Sequence, residues 1–136
     1  MKSSRLMISV AFALFVLLAS AVAQTGAIQA TIPFEFTVGK QTMAAGDYKV
    51  TMNGTVLNLT RLDGPGSAFV PTYGYGYNKE MTPRLVFHRY GKRAFLSQAW
   101  IANTGRELFA TPRELEYART TKQEQTTVLA SSLPNK

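Results

Sequence analysis

The sequence predicts a mainly β fold, an antiparallel sandwich or small barrel of about six to seven strands with a C-terminal helix. Three observations carry this. Residues 28 to 38, IQATIPFEFTV, alternate apolar and polar without a break, as a strand with one buried face does. Asn53-Gly54 and Gly91-Lys92 each stand between two β-rich runs, where two-residue hairpin turns belong. Thr111-Pro112-Arg113-Glu114 has the composition of a helix start: a capping hydroxyl, a proline for the first turn and a carboxylate for a capping box.

The 136-residue chain is long enough for one domain. Its first segment stands apart. Lys2 and Arg5 precede an apolar run from Met7 to Val22, and Ala21-Val22-Ala23 supplies small residues before Gln24. That is the pattern of a cleaved secretory signal peptide over 1–23. The run is short for a membrane span of about 20 residues, so no stable span is expected after cleavage. Residues 24–125 are then a single β-rich domain and 126–136 a flexible tail. The expected location is periplasmic or secreted. The chain has no cysteine, which excludes disulfides, thiolate metal sites and a cysteine nucleophile. Its net charge of +7 suits anionic partners. Export makes nucleic acid a poor candidate. An anionic glycan or other envelope component fits better.

In the first strand, Ile28, Ala30, Ile32, Phe34, Phe36 and Val38 share one face. Pro33 cannot donate to a ladder, so the strand should be an edge or bulged there. In the hairpin of residues 47 to 60, a type I′ turn at Asn53-Gly54 pairs Val50 with Leu57 and Tyr48 with Leu59. Ser67 to Tyr73 reads as a further strand. Tyr73-Gly74-Tyr75-Gly76-Tyr77 follows as a flexible, tyrosine-bearing loop. Residues 84–90 and 93–101 form the second hairpin. A Gly91-Lys92 turn there pairs Phe87 with Leu96 and Leu85 with Gln98. Both of its faces are largely apolar, which places it centrally, covered on both sides. The helix spans 112–123, with Leu115 and Ala118 turned to the sheet.

Candidate chemistry is sparse. His88 is the only histidine, and imidazole titrates near neutrality. A lone histidine in a strand reads first as a structural residue with a satisfied hydrogen bond. No G-x-S-x-G motif accompanies it. No metal site, cofactor fingerprint or catalytic set is read. Tyr73, Tyr75 and Tyr77 are more suggestive, since exposed tyrosines stack on sugars or anchor partners. With Arg89 and His88 they form the candidate ligand-binding set. The competing reading makes the tyrosines lids on the core.

IPFEFTVG (32 to 39), AAGDYKV (44 to 50), RLVFHRYG (84 to 91), FLSQAW (95 to 100) and GREL (105 to 108) occur in that order. This pattern resembles an uncharacterised family of short secreted proteins from Acidobacteria and similar soil bacteria. The resemblance covers nearly all of the chain after residue 23. It implies export and a compact β-rich domain, with no activity or ligand to carry over.

The leading expectation is therefore a non-enzymatic, exported binding or structural module. One alternative is a calycin-like carrier, which needs a closed barrel around an apolar cavity. Another is a hydrolase-type enzyme using His88, which needs that side chain within reach of a carboxylate or hydroxyl. Exposed strand edges leave a homo-oligomer open.

Overall fold

The computed structural model describes residues 26–78 and 82–133. The signal peptide expected over 1–23 lies outside them. The described residues form a mainly β, sandwich-like fold with one short helix. The elements are β1 (Ala27–Ile32), β2 (Phe36–Val38), β3 (Gln41–Met43), β4 (Gly46–Asn53), β5 (Val56–Arg61) and β6 (Ser67–Tyr77). They continue with β7 (Arg84–Tyr90), β8 (Arg93–Ile101), β9 (Thr104–Leu108), α1 (Pro112–Thr120), β10 (Glu124–Leu129) and β11 (Ser131–Ser132). The count exceeds the six to seven expected because several strands are very short.

The strand order is β10-β7-β8-β9-β6-β5-β4-β1-β11, with β2 and β3 attached beside β8. The path does not close into a barrel. β6 belongs to both layers: its first half pairs with β5 and its second half with β9. Pairing is antiparallel except between β2 and β8, where Thr37 meets Phe95 in parallel.

The alternation over 28–38 predicts the buried face correctly. Ile28, Ala30, Ile32, Phe36 and Val38 are buried. The run is nevertheless two strands. Pro33 interrupts the ladder, and the chain crosses from β4's layer to β8's. Alternation reports which side chains face inward, and both layers share one interior.

That interior is filled by rings. Phe36 lies 5.2 Å from Tyr48 and 5.5 Å from Phe87, both edge-to-face contacts that suit aromatic quadrupoles. Phe34 packs 5.0 Å from Phe87. The buried Tyr48 hydroxyl donates to the Ala44 carbonyl.

Both hairpins exist, with altered registers. In β4–β5, Val50 pairs with Leu59 and Tyr48 with Arg61. The two-residue turn is Gly54-Thr55, and Gly54 supplies the positive φ of 63°. The expected register is two residues away, and a shift of two keeps every side chain on its face. The hydrophobic pattern is blind to that difference. In β7–β8, Phe87 pairs with Leu96 as expected, but Leu85 pairs with Ala99. The register shifts between Val86 and Phe87, so β8 carries an extra residue, Ser97. This bulge lets Ala99 and Ile101 join the core.

Three further expectations change. The tyrosines of 73–77 lie on β6, not in a flexible loop. The tail expected over 126–136 is ordered through β10 and β11, because Val128 is buried in the core and β10 pairs with β7 along six residues. The helix turns neither Leu115 nor Ala118 inward. Leu115 is exposed, and the buried residue of α1 is Glu114.

Candidate functional site

The outward face of the second layer collects the candidate residues. Pairing places Val86, Gln98, Glu107 and Tyr73 side by side across β7, β8, β9 and β6. The next row holds Arg84, Trp100, Gly105 and Gly76. Trp100 is able to lie across β9 because Gly105 has no side chain. A Cβ there would sit 2.6 Å from the indole. The indole Nε1 donates to Gln98 Oε1 at 3.3 Å.

At the β6 end this face is open and aromatic. Tyr73, Tyr75 and Tyr77 are 39, 54 and 71% exposed. The strand alternates Ala68, Val70 and Thr72 inward with Phe69, Pro71 and Tyr73 outward, which puts large rings in water on a rigid support. Tyr73 packs 4.6 Å from Phe109, and Tyr75 stands edge-on to Trp100 at 5.9 Å. Phe69 and Phe109 are 70 and 62% exposed and flank a groove of about 390 Å3 that includes Lys40, Gln41 and Pro71. Loss of water around the Tyr73 phenol raises its pKa, helped by a hydrogen bond to Glu107 and by that residue's charge. The phenol is therefore neutral at physiological pH.

At the β7 end the face is closed. His88 Nδ1 lies 3.0 Å from Glu114 Oε2, and the Tyr90 hydroxyl donates to the same oxygen at 2.9 Å. Burial pushes the Tyr90 phenol up to about 12, with the hydrogen bond and charge of Glu114 adding to it. Thr111 caps α1 by accepting from the Glu114 backbone N–H at 3.3 Å. The expected capping box is thus half made, since the Glu114 carboxylate reaches the sheet instead. Tyr117 adds a ring contact to Phe95 at 5.9 Å, and Arg93 lies over Tyr117 at 5.6 Å.

Of the candidate set, Tyr73 lies on this face and Tyr75, at the register shift, reaches Trp100, whereas Tyr77 pairs with Thr104 and alternation turns it to the opposite face. His88 shares the face of Tyr73 but sits three strands away on β7, at the closed end. Arg89 is not brought to either place. Alternation sends it to the other side of β7, where its guanidinium stacks 4.7 Å from the Phe34 ring. The residues not anticipated are Phe69 and Phe109, which complete the aromatic surface, and Glu114, which occupies His88. Phe109 has a readable signal, a large apolar residue two positions before a helix cap. Glu114 read as a cap and nothing more. Among the described residues no group of His, Asp and Glu is arranged to hold a metal ion, and no helix is long and apolar enough to cross a membrane.

Comparison with known proteins yields no match: no family model, curated protein or solved structure aligns with the chain.

Proposed function

We propose that the protein is an exported, non-enzymatic binding domain that holds an envelope or extracellular glycan on the aromatic face of β6. The observation that carries this reading is the exposed set of Tyr73, Tyr75, Tyr77, Phe69 and Phe109 on one rigid strand and its flank. Exposed rings in a row cost solubility and are kept where they bind something. Tyrosines add hydroxyls beside an apolar ring face, which matches a sugar's mixture of C–H faces and hydroxyls. The resemblance to short secreted proteins supports export, and the basic charge supports an acidic polymer as ligand.

The test is affinity electrophoresis of the protein through gels containing envelope or extracellular polysaccharides. The wild-type protein is retarded, and a Tyr73→Ala/Phe109→Ala variant runs freely while keeping its thermal unfolding transition. Free migration of the wild type in every gel, or equal retardation of the variant, sinks this reading.

A second reading rests on the 3.0 Å contact of His88 with Glu114. A carboxylate on Nδ1 orients imidazole for proton transfer at Nε2. A hydrolase would also need a nucleophile facing Nε2. Ester or glycoside turnover lost in His88→Ala would establish it. Unchanged background hydrolysis leaves the binding reading.

A further inference from the structure

The deepest unused feature of this face is Arg84, which opens β7 and sits in the same cross-strand row as Trp100. Its guanidinium carbon lies 5.8 Å from the indole centroid, within cation–π range. The side chain is half-buried, and its Nε is buried without an acceptor. The ion pairs found among the described residues are Arg61 with Asp63 and His88 with Glu114. Arg84 is in neither. A guanidinium held partly out of water without a counter-charge is costly unless an anion completes it.

Its position decides what that anion belongs to. The other neighbour of the indole is Tyr75, edge-on at 5.9 Å. Arg84 and the tyrosine strip therefore flank one tryptophan, and a ligand lying along the strip brings its next charged group to Arg84. The same face carries Glu107, beside Tyr73, and Glu114, beneath α1. The other cation placed on this face, Arg93, lies over Tyr117 at the closed end; a single guanidinium near these carboxylates is poorly suited to a phosphate dianion, which both acids would repel. It suits a singly charged carboxylate, which a guanidinium grips through two parallel hydrogen bonds.

We infer that Arg84 is a specificity-determining residue that receives the carboxylate of a uronic-acid polysaccharide stacked on Tyr73 and Tyr75. This rests on the glycan-binding reading and adds the ligand's chemical class. Neutral sugars engage the rings alone. Uronates gain a charge-assisted pair with Arg84, an interaction that corresponds to about a tenfold or greater change in affinity.

The experiment measures the full chain's affinity for polygalacturonate, for the same polymer after carboxyl reduction, and for inorganic phosphate as competitor. The expected result is binding to polygalacturonate at least about tenfold tighter than to the reduced polymer, with phosphate competing weakly. Arg84→Gln removes the preference, and Arg84→Lys restores part of it. The polymer comparison uses the wild-type protein alone, so it stands even if Arg84→Gln folds poorly. Equal binding of the two polymers overturns the inference and leaves glycan binding intact. Efficient phosphate competition overturns the carboxylate assignment. Binding to neither polymer overturns the inference, and free migration of the wild-type protein in every gel as well overturns both.

Discussion

The two ends of one sheet face do opposite things with the same kinds of residue. At the β7 end, His88, Tyr90 and Glu114 satisfy one another beneath α1. At the β6 end, Tyr73 and Tyr75 stand in water beside Phe69 and Phe109. The closed end spends its polar groups on holding a helix that buries no apolar side chain; its buried residue is Glu114. The open end leaves its rings unspent. The single histidine has a carboxylate partner in Glu114, and the commoner tyrosines carry the exposed rings.

Trp100 joins the two ends, and disturbing it should have the largest effect. Gly105→Ala places a methyl 2.6 Å from the indole. Trp100 is only 5% exposed and cannot move aside cheaply, so urea denaturation should show a loss of about 3 kcal/mol, with Trp100 fluorescence altered in the native state. A loss below about 0.5 kcal/mol would mean that the indole does not lie on Gly105.

Glu114→Ala comes next. It leaves the Tyr90 hydroxyl without its acceptor and releases α1, at a cost of about 2 kcal/mol. Hydrogen exchange should accelerate over 112–120. Glycan binding should persist if the two ends are independent. A parallel loss of binding would join them into one site.

The closed end also sets an alkaline limit. An unfolded tyrosine titrates near 10, whereas the folded Tyr90 titrates at about 12. Below the unfolded value both states are protonated and the contribution is fully present. It is lost as pH rises from 10 through 12, by about 2 kcal/mol. Tyr48, raised chiefly by burial, steepens the same slope. Unfolding curves across that window should flatten in Tyr90→Phe, and an identical slope would remove Tyr90 from the account.

The smallest effect on stability belongs to the open end. Tyr77→Ala removes a 71% exposed ring and should change stability by less than about 0.5 kcal/mol. Any appreciable loss would show that the tyrosine is a structural lid rather than binding surface. That outcome would favour the competing reading of these side chains.

Much of this architecture could be read from residue order, and the misses share a cause. Period 2 in 28–38 identifies the inward side chains because alternation records faces. It cannot record that the chain changes layers at Pro33. The hairpin around Gly54 was placed one residue early because registers two apart bury the same side chains. The Tyr-Gly-Tyr-Gly-Tyr stretch read as a loop because its glycines suggest turns. Pairing with β9, with a register shift between Gly74 and Gly76, overrides that local preference. The polar stretch after Lys122 had too few apolar residues to read as a strand. It takes its structure from the edges of β7 and β1 and from the burial of Val128. Within the candidate site, the tyrosines were visible in the sequence. The Glu114 contacts were not, since they join residues 24 and 26 positions apart, and pattern arguments do not reach that far.

The segment from Glu124 to Ser132 has a consequence in time. Its first part pairs with β7 and its last residues with β1, where Ile28 meets Ser132. The first strand of the sheet is thus completed by a segment far along the chain. Local hairpins such as β4–β5 are free to form while the chain is still growing. The pairing of β1 with β11 has to wait for Ser131 and Ser132. Closures between distant parts of a chain are the slow ones, so β1 and β7 present bare edges until that segment arrives. For this fold, residues 124–132 decide when the molecule stops being sticky.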